Sequence, residues 1–167
     1  MDAIFERRSI RKYQDKKVPD ELIKTIIRAG MLAPSARNQQ LCHFIIVDDK
    51  KLLESIVKIH PNGGTPLSES PVAIIVCGDL SLQKAEGFWI QDCSAATENM
   101  LIEAKHLGLG SLWIGIYPRE ERINGLKKLF SLPENVFPLS VVALGYPAET
   151  PPNKDNYDVN KIHHNRW

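Results

Sequence analysis

The sequence predicts a three-layer sandwich, α/β or α+β, around a sheet of about four or five strands. Amphipathic helical segments alternate with short β-branched runs along the chain. One of those runs, Val72-Ala-Ile-Ile-Val-Cys77, is apolar at every position, as suits a central strand covered on both faces. The chain has 167 residues, 43% of them hydrophobic, enough to close the core of one domain spanning 1–167, and no repeat or low-complexity tract divides it.

The elements follow in order. Asp2 can cap a short helix running toward Arg7. Pro19-Asp20-Glu21 opens a second helix, with proline near the first turn and acidic residues at the positive end of the dipole. Leu22, Ile23, Ile26 and Ile27 give it one buried stripe, and Gly30 and Pro34 bracket its end. His43-Phe-Ile-Ile-Val47 reads as a strand closed by Asp48-Asp49. A charged helix with Leu52, Leu53, Ile56 and Val57 on one face comes next, and Pro61-Asn-Gly-Gly-Thr-Pro66 reads as a mobile loop. Beyond the Val72 strand, the longest helical pattern runs from about Gln91 to Leu107. Ala95, Ala96, Met100, Leu101 and Ala104 give it a small-residue face, and Gly108 and Gly110 terminate it. Leu112-Trp-Ile114 is a third strand, Pro118 to Phe130 a further helix and Phe137 to Leu144 a fourth strand. The tail from Tyr146 to Trp167 has little core of its own and needs something to dock on.

Charge and composition exclude several functions. Twenty-one Lys and Arg against 20 Asp and Glu leave +1, without the basic excess of a general nucleic-acid binder. No apolar run approaches the roughly 20 residues of a membrane span, and the start of the chain lacks a secretory layout, so a cytoplasmic location is expected. Cys42, Cys77 and Cys93 are odd in number and form no C-x-x-C pair, so they read as reduced, structural thiols and no metal is expected.

Three segments could carry chemistry. Arg7-Arg8-Ser9-Ile10-Arg11 offers three guanidiniums and a hydroxyl, suited to a phosphate or else to a solvated helix end. Ala33-Pro-Ser-Ala-Arg-Asn-Gln-Gln40 offers a hydroxyl and amides that could match the polar edge of a heterocycle, or form an ordinary turn. Gly108-Leu-Gly-Ser-Leu-Trp-Ile-Gly-Ile-Tyr117 lacks the third glycine of a dinucleotide fingerprint and follows a helix. Gly115, however, interrupts a strand where a ligand could approach backbone. His163 and His164 lack partners at metal-ligand spacing. No nucleophile motif is present, which points to reactivity supplied by a cofactor.

Taken together, Arg7-Arg-Ser-Ile-Arg11, Ala33-Pro-Ser-Ala-Arg-Asn-Gln39, Gln91-Asp-Cys-Ser-Ala-Ala-Thr-Glu-Asn-Met100, Leu107-Gly-Leu-Gly-Ser-Leu-Trp113, Ala143-Leu-Gly-Tyr-Pro147 and His164-Asn-Arg-Trp167 resemble the nitroreductase family of FMN-dependent oxidoreductases. The resemblance implies an α+β three-layer sandwich with a mainly antiparallel mixed sheet of four to five strands, in an intertwined homodimer with FMN at the subunit interface. It assigns Arg7, Arg8, Ser9 and Arg11 to the FMN phosphate, ribityl chain and ring edge, with Arg166 adding phosphate charge. Pro34, Ser35, Asn38 and Gln39 would come from the partner subunit, and backbone around Ile114, Gly115 and Ile116 would lie against the flavin ring. Arg11 would tune the ring. The small face of the long helix would pack at the dimer core, and the tail would dock on the partner.

The implied activity is ping-pong: NADH or NADPH gives a hydride to flavin N5, and a nitroaromatic, quinone or related small electrophile then takes it. No side chain is assigned as acid or base. Only residues 61–69 and 79–89 are available to cap substrate, and Phe88 and Trp89 either line the pocket or close the helix onto the core. A flavin-binding or redox-sensing protein without efficient NAD(P)H turnover is the alternative. A cofactor-free interaction module is the third reading.

Overall fold

The computed structural model describes residues 3–152 and 154–167. Asp2, expected as a helix cap, lies outside them. Five helices, α1 (Ala3–Glu6), α2 (Asp20–Met31), α3 (Lys50–Ile59), α4 (Trp89–His106) and α5 (Glu120–Leu129), surround four strands, β1 (Cys42–Val47), β2 (Val72–Asp79), β3 (Gly110–Gly115) and β4 (Val136–Gly145). The strand order is β1-β2-β4-β3, with every neighbouring pair antiparallel. An isolated parallel bridge, Ser9 to Ser111, extends the β3 edge and makes the sheet mixed.

Two apolar clusters, one on each face, make this a three-layer structure. On one face Leu53 and Ile56 of α3 and Ile123 and Leu126 of α5 pack on Ala73, Ile75, Val141 and Ala143. On the other, Ile23 and Ile26 of α2 and Cys93, Met100 and Leu101 of α4 pack on Ile74, Val76, Val142 and Leu144. Alternate residues of β2 and β4 therefore serve opposite cores, and both central strands are apolar on both faces except at the buried Ser140 of β4 and the terminal Asp79 of β2.

Local chemistry sets the element ends. Asp49 caps α3 by accepting from the Leu52 amide at 2.9 Å. Gly108, at φ +76°, ends α4 in the left-handed conformation that glycine adopts without cost. Gly110 has a different role from the one expected. It opens β3, where a Cβ would stand 2.9 Å from Ile10, so its lack of a side chain lets the N-terminal segment close on the strand. Gly30 likewise lies inside α2, where a Cβ would meet the Met100 Cγ at 2.9 Å.

That contact also shows what much of the small face of α4 packs against. Ala96, Met100, Leu101 and Ala104 are buried within a single chain, against α2 and the sheet, so these four serve close helix packing, whereas Ala95 is only half-buried. Helix α4 starts at Trp89, earlier than the periodicity suggested. Trp89 is buried and stands edge-on to Tyr117 at 4.9 Å between ring centroids, closing the helix onto the core, while Phe88 stays exposed. The 61–66 segment is turned tightly: Gly63 and Gly64 both donate to the His60 carbonyl, and a short 3-10 turn, Thr65–Ser68, buries Leu67 completely.

Strand register separates the two segments expected to cap substrate. Val72 pairs with Leu144 and Gly110 with Gly145 at one end of the sheet, while Asp79 pairs with Val136 and Gly115 with Ser140 at the other. Residues 61–69 lead into the first end. Only 79–89 leaves the sheet at the end where Gly115 lies.

Candidate functional site

The N-terminal segment is fastened to the sheet by its apolar residues, which frees its polar ones. Ile10 is buried against Gly110, and its amide donates to the Ser111 carbonyl at 3.0 Å. Tyr13 is buried too, and its hydroxyl donates to the Ile10 carbonyl at 2.7 Å, in a setting that raises its pKa above the ordinary value through burial and the Glu149 carboxylate. The Lys12 carbonyl and Gln14 amide pair with the backbone of residues 148 and 146, so the first part of the tail is held by its own chain.

Arg7, Arg8, Ser9 and Arg11 then form one wall of a cleft of about 400 Å³, opposite Pro151, Pro152, Lys154 and Asn156. Arg8 is held by backbone: its guanidinium donates to the carbonyls of Phe5 at 2.8 Å, Arg7 at 2.7 Å, Pro152 at 3.3 Å and Lys154 at 3.4 Å. Arg7 is ion-paired with Glu98 of α4 at 3.4 Å. Glu149 takes the amides of Arg11 and Lys12, which fixes the backbone beside the exposed Arg11 side chain. Among the described residues the lining of this cleft holds four cations and no carboxylate, although Glu98 pairs with Arg7 and Glu149 stands on the Arg11 amide at its border, so Arg11 and Lys154 are the cations best placed to meet a phosphate.

Strand β3 leads from this cleft toward its other end. Ser111, bridged to Ser9, and Gly115 are four residues apart, about 13 Å at strand rise. Ile114 and Ile116 are buried, but Gly115 is exposed and a Cβ there would meet nothing within 4 Å. The chain is turned just beyond it by the Leu139 carbonyl, which accepts from both the Ile116 and Tyr117 amides. This follows a register shift in the β2–β4 pairing at Val76/Cys77, opposite Pro138, which has no amide to donate. Arg122 of α5 donates to the Gly115 carbonyl at 3.1 Å, a cation the sequence reading did not single out. An anion site, a strand's length and an open backbone surface suit an elongated ligand that is charged at one end and flat at the other.

The 33–40 loop lies elsewhere. Pro34 and Ser35 line a separate cleft of about 240 Å³ with Met31, Cys42, Asp92 and Ala96, and no residue is common to the two clefts. Arg37, Asn38 and Gln40 have φ of 52°, 51° and 48°, left-handed values that cost non-glycine residues on the order of 1–3 kcal/mol. Asp92 holds the loop in that shape. Nearly buried in the first turns of α4, it accepts from the Ala36 amide at 2.9 Å and from the Gln39 side-chain amide at 2.5 Å. The other end of the Gln39 amide accepts from the Lys84 and Ala85 backbone at 2.8 and 3.0 Å. Gln39 is thus engaged within its own chain as a brace, whereas Pro34 and Asn38 are exposed. Asp92 was also missed in the sequence, although a carboxylate on the apolar stripe of Trp89, Cys93 and Ala96 is itself a signal.

Arg166 is exposed in the last residues and is not in the lining of the arginine cleft of its own chain, where Lys154 is the tail's cation. The tail beyond residue 153 lies exposed, and Trp167 is 101% accessible, stacked only on His163. Among the described residues there is no cluster of three metal-ligating side chains, and no helix is long and apolar enough to cross a membrane.

The family model described as "Nitroreductase family" matches residues 4–64 and 66–146. A protein of Methanothermobacter thermautotrophicus, provisionally named NADH dehydrogenase/NAD(P)H nitroreductase, is 52% identical over 167 residues, covering 100% of this chain and 87% of its own. The FMN reductase [NAD(P)H] of Bacillus subtilis is 30% identical over 184 residues, covering 97% of this chain and 71% of its own. The solved structure of an FMN-dependent nitroreductase from Clostridium difficile R20291 superposes with a TM-score of 0.92 at 30% identity, covering 99% of each chain. The arginine segment, the 33–40 loop and the open glycine of β3 all fall within the matched span, and the chain belongs to the nitroreductase family.

Proposed function

We infer that this chain is an FMN-dependent oxidoreductase that draws hydride from NADH or NADPH and passes it to a nitroaromatic, quinone or related small electrophile. The observation that carries the reading is the cleft that Arg7, Arg8, Arg11 and Lys154 line, with no carboxylate in its lining among the described residues, one strand's length from the bare backbone of Gly115. FMN, when bound, supplies the two-electron carrier between donor and acceptor. The protein's share is positioning and electrostatics. The guanidiniums hold the phosphate, the Ser9 hydroxyl hydrogen-bonds the adjoining polyol, and the 114–116 backbone presents a flat wall to the ring. Arg122 and Arg11 supply positive charge that favours added electron density.

The active unit is a cytoplasmic homodimer whose sites are completed across the interface. The separation of the two clefts supports this: the arginine wall and the Pro34–Ser35 wall do not meet within one chain. So do the exposed apolar side chains of Ile4, Phe5, Met31 and Leu32 and the outlying tail with Ile162 and Trp167, which need a cover. In the dimer, Pro34, Ser35 and Asn38 reach the flavin held by the second copy, Gln39 braces their loop, and the tail docks on that copy, carrying Arg166 to a phosphate.

The test is an absorbance spectrum of the purified protein, before and after NADH and NADPH and then with a quinone or nitroaromatic. The expected protein is yellow, bleaches with a nicotinamide donor and regains colour with acceptor. A protein that is colourless and takes up no added FMN would overturn the reading. Flavin reduced by dithionite but not by either nicotinamide would replace it with a flavin-binding sensor.

A further inference from the structure

The three cysteines do not stand alone as their spacing suggested. Cys42 opens β1, Cys93 lies in the first turns of α4, and their sulfurs are 3.2 Å apart. A disulfide needs about 2.05 Å between sulfurs, so closure requires an approach of only about 1.1 Å. The two thiols differ in access. Cys42 is half-buried and lines the cleft of about 240 Å³ beside Pro34 and Ser35, while Cys93 is fully buried behind it. Cys77, also fully buried, lines neither cleft. This is the arrangement of an attacking thiol with a resolving thiol at hand.

Electrostatics runs the same way. The hydrogen bond from Cys93 lowers the pKa of Cys42, whereas that bond and burial raise the pKa of Cys93, and burial pushes Cys77 up to about 12. Thiolate character therefore gathers on the one sulfur that faces the cleft.

Position gives the pair a consequence. Cys93 directly follows Asp92, whose carboxylate holds Ala36 and Gln39, and Cys42 follows the loop by two residues. Drawing the two sulfurs together draws the start of β1, into which the 33–40 loop runs, onto the first turns of α4, whose Asp92 side chain fastens that loop.

We propose that Cys42 and Cys93 form a reversible redox site, closing to an intramolecular disulfide under hydrogen peroxide and thereby tightening the 33–40 loop. The Cys42 thiolate attacks one peroxide oxygen, and the O–O bond breaks. The Cys42 sulfur is oxidised to a sulfenic acid, and the leaving hydroxide takes a proton to become water. The Cys93 thiol then attacks that sulfur, forming the S–S bond and releasing a second water. The peroxide accepts two electrons in all. A small thiol reductant such as dithiothreitol returns both cysteines to thiols. The proposal goes beyond the flavin reading and does not depend on it.

The test treats the intact protein, flavin included as purified, with hydrogen peroxide, then alkylates it after denaturation and maps the peptides without reduction. The expected result is that alkylation falls from three cysteines to Cys77 alone. The peptides carrying Cys42 and Cys93 appear linked, and dithiothreitol reverses both changes. In Cys93→Ser, peroxide should carry Cys42 on to the sulfinic acid. Should the buried Cys93→Ser fail to fold, Cys42→Ser serves instead, and in it Cys93 should stay reduced under the same dose. Hydrogen exchange across 33–40 should slow several-fold in the oxidised protein. Three alkylatable cysteines after peroxide, or a link to Cys77 or between chains instead, would overturn the disulfide. A disulfide with unchanged exchange across 33–40 would overturn its coupling to the loop.

Discussion

The arginine cleft and the 33–40 loop are built in opposite ways. The cleft is open, its charged side chains project into solvent, lean on backbone carbonyls or, for Arg7, pair with Glu98 at its border, and its far wall is a tail with little core of its own. The loop is folded through three left-handed residues and fastened by a nearly buried carboxylate. One region is charge with little local rigidity, the other rigidity with little charge. A ligand that is anionic at one end and flat at the other needs both. A single chain keeps them in separate clefts, so the difference between the regions itself argues for a site completed by a second copy.

Substitutions should separate the two kinds of construction. Removing charge should cost ligand and spare the fold. Hydrogen bonds to charged groups are worth about 1.5–3 kcal/mol each, so the double variant Arg7→Ala/Arg11→Ala should raise the FMN dissociation constant by about a hundredfold or more. Fluorescence titration at fixed ionic strength measures this. Apoprotein stability should scarcely change, because the Arg7–Glu98 pair is partly exposed and worth at most about 1 kcal/mol. Removing the brace should do the reverse. Asp92→Ala strands the Ala36 amide and the Gln39 side chain, and chemical denaturation should show a loss of about 3 kcal/mol.

Gly115 sharpens the comparison from the ligand side. Gly115→Val adds a side chain into empty space, so stability should stay within about 0.5 kcal/mol while FMN binding weakens about tenfold. The smallest effect belongs to a residue outside both regions. His60, at the end of α3 on the face opposite Asp92, has a pKa lowered by burial and by Arg122. The unfolded chain then takes up the proton more readily than the folded one, so stability is lost as pH falls through the unfolded value of about 6.5. His60→Gln should flatten that slope between neutral and mildly acid pH and leave flavin affinity as it was.

What was legible in the sequence is what local pattern determines. Strands β2 and β4 stood out because both faces of each are buried, and α3 because its apolar stripe is contiguous, while the capping role of Asp49, read as the close of a strand, came only with the structure. The arginine segment was legible because its chemistry lies within five residues. What escaped depends on contacts between distant segments. Gly30 and Gly110 read as helix ends until Met100 and Ile10 were found against them. Asp92 finds its partners 56 and 53 residues away, and the closeness of Cys42 to Cys93 exists only because α4 lies across the start of β1. The tail proved to be graded, a backbone-paired stretch over 146–148, a stretch over 149–152 and 154–156 that meets Arg8, Arg11 and Lys12 and walls the cleft, and an exposed remainder, because its partners lie at residues 8–14.

The central claim, that each flavin site takes its arginine wall from one copy and its 33–40 wall from the other, is tested most directly by mixing two defective proteins. Arg7→Ala/Arg11→Ala disables the first wall and Pro34→Glu, at an exposed position, the second. Each alone should fold, dimerise and bind little FMN. Unfolded together in equal amounts and refolded, they should regain about a quarter of the wild-type flavin sites, because half of random twofold dimers are mixed and each mixed dimer has one intact site. Mixed dimers that form and bind no more FMN than either parent would contradict the account.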